Sequence, residues 1–169
     1  AKMVFGVIMG SGVGGGLVID RKLWQGRQGI AGEWGQNYLD ESGGACYCGK
    51  TGCVETVISG KALEAYYARQ TGMYNSLEHI AAKAQHHEVA RSTLERLYYF
   101  FGKGIAHVIN TLDPDAIVLG GGVGNIAGLY THGVHYTRRF VFNNRLNTKF
   151  LPPALGDSAG VFGAALLTT

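Results

Sequence analysis

Residues 46–55 read Cys-Tyr-Cys-Gly-Lys-Thr-Gly-Cys-Val-Glu and contain all three cysteines of the chain. Gly49 and Gly52 allow the backbone to turn so that the three sulfur atoms can face one point. An odd, tightly clustered set of cysteines is a poor disulfide framework, whereas three thiolates provide most of a tetrahedral zinc site. We therefore predict Cys46, Cys48 and Cys53 as metal ligands, in preference to three unpaired cysteines buried by packing.

Two acidic residues flank this cysteine segment. Glu55 follows Cys53 by two positions, and Glu33 lies upstream in the stretch Gly32-Glu33-Trp34-Gly35-Gln36. Residues 26–53 show no clear periodicity, and so long an irregular loop is uncommon unless it is functional or tied down. Solvated loop acids are the plain alternative for both glutamates.

Glycine accounts for 27 of the 169 residues and concentrates at a few junctions. Residues 10–16 form a predicted glycine loop after a strand, and Gly120-Gly121-Gly122 follow a second buried strand. Glycine loops can bind phosphates through backbone N–H groups, because no Cβ blocks the approach. For the first loop, a simple hairpin turn is the alternative. A helix beginning near Ile126 would direct its N-terminal dipole at a bound nucleotide.

Hydrophobic periodicity predicts an α/β chain with one mixed sheet. A Ser at position 59 and another at position 76 are predicted helix N-caps. The predicted strands are residues 3–9, 17–20, 22–25, 115–119 and a weak edge strand at 149–151. The predicted helices are residues 60–70, 76–85, 89–112, 126–142 and 158–167.

Composition excludes several classes of protein. With 46% hydrophobic and 16% charged residues, the chain can bury a core and is not a disordered tail. Its net charge of +3 is scattered, which argues against nucleic acid as a partner. No apolar run reaches the length of a membrane span and no signal-peptide pattern is present. We expect a single cytoplasmic domain with no membrane partner.

The two halves of the motif together resemble the signature of the ROK family (repressors, open reading frames, kinases). They are Gly-Glu-Trp-Gly at residues 32–35 and Cys-x-Cys-Gly-x-x-Gly-Cys-x-Glu at residues 46–55. Residues 10–16 are similar to the family's second phosphate loop, and residues 110–122 to its adenosine-side segment. Residues 156–160 and 163–165 are similar to its C-terminus. The resemblance covers the whole chain and is greatest to the bacterial fructokinase and N-acetylglucosamine kinase branch.

This resemblance implies the C-terminal lobe of an actin-like (ribonuclease H-like) ATP-dependent sugar kinase, over residues 1–169. Glu33, Gln36 and Glu55 would bind the sugar, with ATP, Mg²⁺ and a structural Zn²⁺ as cofactors. Gln36 stands where the family usually has a histidine as the fourth zinc ligand, and a carboxamide oxygen is a poor zinc ligand. The residues expected to approach the nucleotide are Gly10, Ser11, Gly12, Gly14, Gly15, Gly120, Gly121 and Gly122.

The resemblance also implies a homodimer and a catalytic aspartate base in an N-terminal lobe. That aspartate is absent from residues 1–169, so we expect the isolated chain to be inactive.

Three other functions are consistent with parts of this pattern. A sugar-sensing transcriptional repressor of the same family would carry this lobe behind a DNA-binding domain. A glycosidase could use Glu33 and Glu55 as an acid/base pair, but the glycine turns and the cysteine loop would then have no role. A metal-stabilised interaction module without chemistry would need only the cysteines.

Overall fold

A computed structural model describes residues 1–143 and 145–156, and its centre is a five-stranded mixed sheet in the order β3-β2-β1-β4-β5. β1 pairs antiparallel with β2 and parallel with β4, which confirms the predicted mixed sheet. β3 and β5 are three-residue edge strands. The strands are β1 (Met3–Met9), β2 (Val13–Ile19), β3 (Lys22–Trp24), β4 (Ala116–Gly120) and β5 (Lys149–Leu151).

Among the residues that the structure describes, five α-helices pack with the sheet around a hydrophobic core. Phe5, Val7 and Met9 alternate along β1 and are all buried, as expected for a strand whose one face meets the core. The helices are α1 (Val54–Ile58), α2 (Gly60–Thr71), α3 (Leu77–Lys83), α4 (Glu88–Leu112) and α5 (His132–Phe140). Short 3₁₀ turns occupy Glu41–Gly43, Gly122–Asn125 and Ala127–Tyr130.

The longest helix, α4, confirms the strongest periodic pattern in the sequence. Leu97, Phe101 and Ile105 recur at four-residue spacing and are fully buried. α4 ends at Leu112, and Asp113 is its C-cap residue. Asp113 has a left-handed backbone (φ 46°) and is followed by Pro114. Both predicted serine caps are also confirmed: the Ser59 hydroxyl accepts from Ala62 N–H, and the Ser76 hydroxyl accepts from His79 N–H.

The glycine loop predicted over residues 10–16 is shorter than expected. β2 begins at Val13, so Gly14, Gly15 and Gly16 are strand residues and only residues 10–12 form the turn. The reason is close packing, because a Cβ on Gly15 would lie 2.7 Å from the Gly32 carbonyl oxygen. These glycines allow the segment around Gly32 to cross the strand at backbone contact.

The prediction of a helix over residues 126–142 was wrong for residues 126–131. Residues 122–130 form two 3₁₀ turns, and α5 begins only at His132. Glycine disfavours the α-helix, and the chain has it at positions 122, 124 and 128. A Cβ on Gly128 would also overlap the Tyr98 ring and hydroxyl. The dipole of α5 therefore does not start at Ile126, contrary to the prediction.

The helix predicted over residues 158–167 lies outside the described residues, as do the motifs at 157–160 and 163–165. Within the described part of the chain, no helix combines the length and apolar character that crossing a membrane requires.

Candidate functional site

A cleft of about 970 Å³ opens at the end of β1 and β4. Gly10 and Ser11 of the β1–β2 turn form one wall, and Gly122 beyond β4 forms another. Gly60 and Lys61, at the start of α2, also line it. The fold thus brings together the two glycine segments that the sequence analysis assigned to a nucleotide.

Glycine is required where these walls touch. Gly121 has a positive φ of 80°, and a Cβ there would overlap the Met9 carbonyl group. Gly60 N–H donates to the Gly10 carbonyl oxygen at 2.7 Å, and a Cβ on Gly60 would lie 3.0 Å from that oxygen. The β1–β2 turn, the end of β4 and the start of α2 are therefore joined through backbone contacts that side chains would prevent.

The predicted nucleotide residues divide into two groups. Gly10, Ser11 and Gly122 line the cleft. The remaining ones do not line it: Gly14, Gly15 and Gly120 are strand residues, Gly121 supports the wall, and Gly12 contacts Glu55. Several lining residues from α2, α3 and α4 were not predicted, namely Lys61, Glu64, Leu77, Glu78, Ala81, Leu94 and Tyr98. The Ser59 cap signals a helix start, but nothing local to it indicates that α2 begins beside Gly10.

Glu55 connects the β1–β2 turn with the cysteine loop. It lies in the first turn of α1, two residues after the N-cap residue Cys53. Its carboxylate Oε2 accepts from Val13 N–H at 2.9 Å, and its own N–H donates to the Gly35 carbonyl oxygen at 2.9 Å. A Cβ on Gly12 would lie 2.6 Å from Oε2. One face of the turn therefore contacts Glu55, while Gly10 and Ser11 face the cleft.

Gln36 and Tyr47 form a hydrogen-bonded pair next to the two glutamates. Gln36 Nε2 donates to the Tyr47 hydroxyl oxygen at 3.1 Å. The Tyr47 side chain is 83% exposed. The negative charge of Glu55 is the main cause that raises the pKa of Tyr47 above its usual value, and Glu33 contributes in the same direction. Glu33 itself is exposed. Tyr47 was not predicted as a site residue.

The three cysteines meet as the sequence predicted. Their sulfur atoms all lie within 4.8 Å of one another, with Cys46 and Cys53 buried and Cys48 exposed. The Cys48 and Cys53 sulfurs are 3.6 Å apart, far longer than a disulfide bond of about 2 Å. Zinc–sulfur bonds of about 2.3 Å in a tetrahedron place sulfurs about 3.8 Å apart, so this spacing fits one zinc ion.

A fourth ligand is not supplied by a cysteine, histidine or carboxylate among residues 1–143 and 145–156. The Gln36 side chain bonds Tyr47, and only its backbone carbonyl oxygen contacts Cys53, at 3.6 Å from the sulfur. Burial and the two neighbouring thiols raise the pKa of Cys53 to about 12. A hydrogen bond from the Lys50 backbone is the main cause that lowers the pKa of Cys48. The donor set fits a metal held by three thiolates.

Contacts outside the cysteine cluster also hold the irregular loop. The Trp34 indole N–H donates to the Gly14 carbonyl oxygen at 3.0 Å, and its buried ring packs edge-on against Phe5. From α4, Lys103 donates to the Leu39 carbonyl oxygen at 3.0 Å and lies 3.8 Å from the Asp40 carboxylate. The loop is thereby fixed to the sheet at one end and to α4 in its middle.

Comparison with known proteins now identifies the family of this fold. A family model described as "ROK family" matches residues 1–169. The chain belongs to the ROK family. This ROK chain is 31% identical over 178 residues to an N-acetyl-D-glucosamine kinase of Vibrio vulnificus (strain YJ016), covering 99% of the chain and 59% of the relative.

Two solved structures have the same fold. A ROK family glucokinase from Streptomyces griseus, in complex with glucose and AMPPNP, is 32% identical with a TM-score of 0.87. That match covers 98% of this chain and 60% of the glucokinase. A ROK family transcriptional regulator, a homolog of the E. coli MLC protein, is 30% identical with a TM-score of 0.77. That match covers 90% of this chain and 42% of the regulator.

The predicted family and the predicted fold class, the actin-like kinase fold, are both confirmed by these matches. The named kinases among the relatives are sugar kinases. The ROK chain spans about three fifths of the length of the curated relatives it matches.

Proposed function

We propose that the complete protein containing this chain is an ATP-dependent sugar kinase and that residues 1–169 form its C-terminal lobe. It would transfer the γ-phosphoryl group of ATP to a hydroxyl group of a hexose or N-acetylhexosamine. One observation carries the proposal: Glu55 bonds the β1–β2 turn at Val13, and Gly10 and Ser11 of the same turn line the cleft. A sugar on Glu55 and a nucleotide in the cleft would lie on two sides of one turn.

Glu33, Gln36 and Glu55 are the proposed sugar ligands. A carboxylate accepts hydrogen bonds from adjacent hydroxyl groups, and such charge-assisted bonds fix the orientation of the ring. Glu55 already accepts from Val13 N–H through Oε2, which fixes its position and leaves Oε1 for a hydroxyl group. Fructose, glucose and the N-acetylhexosamines are the candidate sugars in this proposal.

The cleft is the proposed nucleotide site. Gly10 N–H already donates to the Gly12 carbonyl oxygen at 2.9 Å. Ser11 would therefore present its backbone N–H group to the phosphates, and the Lys61 side chain would add a positive charge beside it. Mg²⁺ would accompany the phosphates, and no residue of this chain is assigned to it. The catalytic base is proposed to belong to an N-terminal lobe, so residues 1–169 alone would not phosphorylate a sugar.

Zn²⁺ is the metal we propose for Cys46, Cys48 and Cys53, in a structural role. Bound there, it would fix the cysteine loop next to Glu55, because Cys53 is the N-cap of α1 and Glu55 lies in the first turn of that helix. A cytoplasmic location, expected from the sequence composition, and a homodimer, implied by the family resemblance, remain predictions.

A sugar-sensing regulator is the second candidate, since one of the similar structures is a ROK family transcriptional regulator. Such a protein needs the sugar ligands but not a nucleotide site. The wide cleft between Gly10 and Gly122 favours the kinase.

An ADP-release assay on the complete protein, run against hexoses and N-acetylhexosamines, tests the kinase proposal. We expect turnover with at least one sugar. Glu33→Ala and Glu55→Ala should each raise the KM for that sugar by about 100-fold, which corresponds to about 2.7 kcal/mol, while nucleotide affinity changes little. Equal loss of sugar and nucleotide affinity would contradict the assigned roles. Sugar binding without turnover would favour the sensor.

A further inference from the structure

The Gln36–Tyr47 pair has chemistry that the proposed site does not yet use. We propose that this pair contacts the sugar at its C2 substituent and selects an N-acetylhexosamine over the plain hexose. The inference rests on the proposed sugar site and adds Tyr47 to it as a specificity-determining residue.

The first support is the position of the pair. Tyr47 lies between Cys46 and Cys48, whose sulfurs converge on Cys53, while the tyrosine ring extends into solvent with 83% of its surface exposed. An exposed aromatic ring held on a fixed loop is a favourable surface for a ligand with an apolar face. The Tyr47 hydroxyl accepts from Gln36 Nε2 at 3.1 Å, so the ring lies beside one of the three proposed sugar ligands.

The second support is the state of the Gln36 side chain. Its Nε2 donates to the Tyr47 hydroxyl, which fixes the amide plane and occupies one of its two N–H groups. The Cys53 sulfur contacts the backbone carbonyl oxygen of Gln36, and the side-chain amide takes no part in that contact. The remaining N–H donor and the Oε1 acceptor are available to a ligand.

These groups are complementary to an acetamido group. An acetamido group offers one N–H donor and one carbonyl acceptor, which match the acceptor and the donor left on Gln36. Its methyl group is apolar and can pack on the Tyr47 ring. A hydroxyl group at the same carbon satisfies fewer of these hydrogen bonds and leaves the ring in water. A site whose polar groups bond one ligand discriminates against an analogue that leaves those polar groups without hydrogen bonds.

Calorimetric binding to the complete protein tests this inference, with N-acetylglucosamine and glucose as the probes. We expect the unaltered protein to bind N-acetylglucosamine at least about tenfold more tightly than glucose, equivalent to about 1.4 kcal/mol. Tyr47→Ala should weaken N-acetylglucosamine binding about tenfold and glucose binding less than about threefold. Tyr47→Phe keeps the ring but removes the hydroxyl that holds the Gln36 amide, so it should lose part of the preference, and less of it than Tyr47→Ala.

Gln36→Ala should remove the preference as well, and the double variant should lose no more than Gln36→Ala alone, because the two residues act as one unit. Phe142→Ala is the matched control, since this ring is 95% exposed and lies in the segment after α5. It should change neither affinity. Metal content, measured on every variant, should stay constant.

Two results would overturn the inference while leaving the sugar kinase proposal intact. One is an equal loss of both sugars in Tyr47→Ala, which would assign the ring to loop stability. The other is an unaltered protein that binds glucose as tightly as N-acetylglucosamine. If the unaltered protein bound neither these nor any other sugar, the proposed function itself would fail, and the inference with it.

Discussion

The cleft and the cysteine loop meet at one turn but are constructed differently. The cleft walls are ends of regular elements, and they touch through backbone contacts at Gly10, Gly60 and Gly121. The loop over residues 26–53 has only a short 3₁₀ turn and two isolated bridges, Tyr38–Cys53 and Ala45–Thr51. Its shape depends on side-chain anchors from Trp34 and Lys103 and on the cysteines.

This difference indicates how each region should respond to damage. The cleft is part of the cooperative core, so disturbing a wall should lower the stability of the whole chain. The loop is held by a few separate contacts, so removing one of these contacts should loosen the loop before it affects the sheet. Glu55 contacts both regions and is where a change in one would reach the other.

The largest expected effect is that of Gly121→Ala in the cleft wall. A Cβ there would overlap the Met9 carbonyl group in a backbone with φ of 80°, so both a clash and backbone strain result. We expect a loss of about 3–5 kcal/mol in the free energy of unfolding, measured with urea. Gly122→Ala is the control, because nothing lies within 4 Å of its Cβ position. Equal effects at both positions would show that the wall is not closely packed.

Removal of the metal should act on the loop alone. With a strong chelator, amide exchange in residues 36–53 should accelerate by about tenfold or more, while β1 and β4 keep their protection. Cys53→Ser should give the same local change, together with a loss of about 2 kcal/mol because Cys53 is fully buried. The chelator should then have no further effect on Cys53→Ser. Unchanged exchange in the unaltered chain would mean that the cysteines only pack.

The smallest expected effect is at the far end of the same sheet. The Asp115 carboxylate accepts from the N–H groups of Met3 and Lys2, and these bonds lower its pKa below the usual 3.8. A lowered pKa stabilises the fold above about pH 4, and this contribution is lost as pH falls toward the folded-state value. The stability difference between the unaltered chain and Asp115→Asn should be constant from pH 5 to 7 and shrink below about pH 4. A difference that grows on acidification would contradict this assignment.

Most of the regular structure could be predicted because its signals are local. Each signal lies within one element: the buried apolar residues at helical spacing in α4, the N-caps Ser59 and Ser76, and the alternation along β1. The cysteine cluster was predictable for the same reason, since short spacing brings the sulfurs together whatever the rest of the chain does.

The errors arose where distant residues decide the local structure. Residues 14–16 look like a loop by composition, but they are strand because the Gly32 segment packs directly against them. Likewise, Tyr98, thirty residues before Gly128, occupies the space where a Cβ at position 128 would lie, so the Ala127–Tyr130 turn packs directly against the Tyr98 ring. Single-element patterns contain no information about such contacts.

The sequence by itself determined the family motif, the cluster of three cysteines and the order of the main strands and helices, because each depends on residues that are close together in the chain. Only the tertiary structure decided that α2 starts beside Gly10, that Glu55 bonds Val13, and that Tyr47 joins Gln36. Each of these contacts joins residues 11 to 50 positions apart, and their distance depends on how the sheet, the helices and the loop pack together.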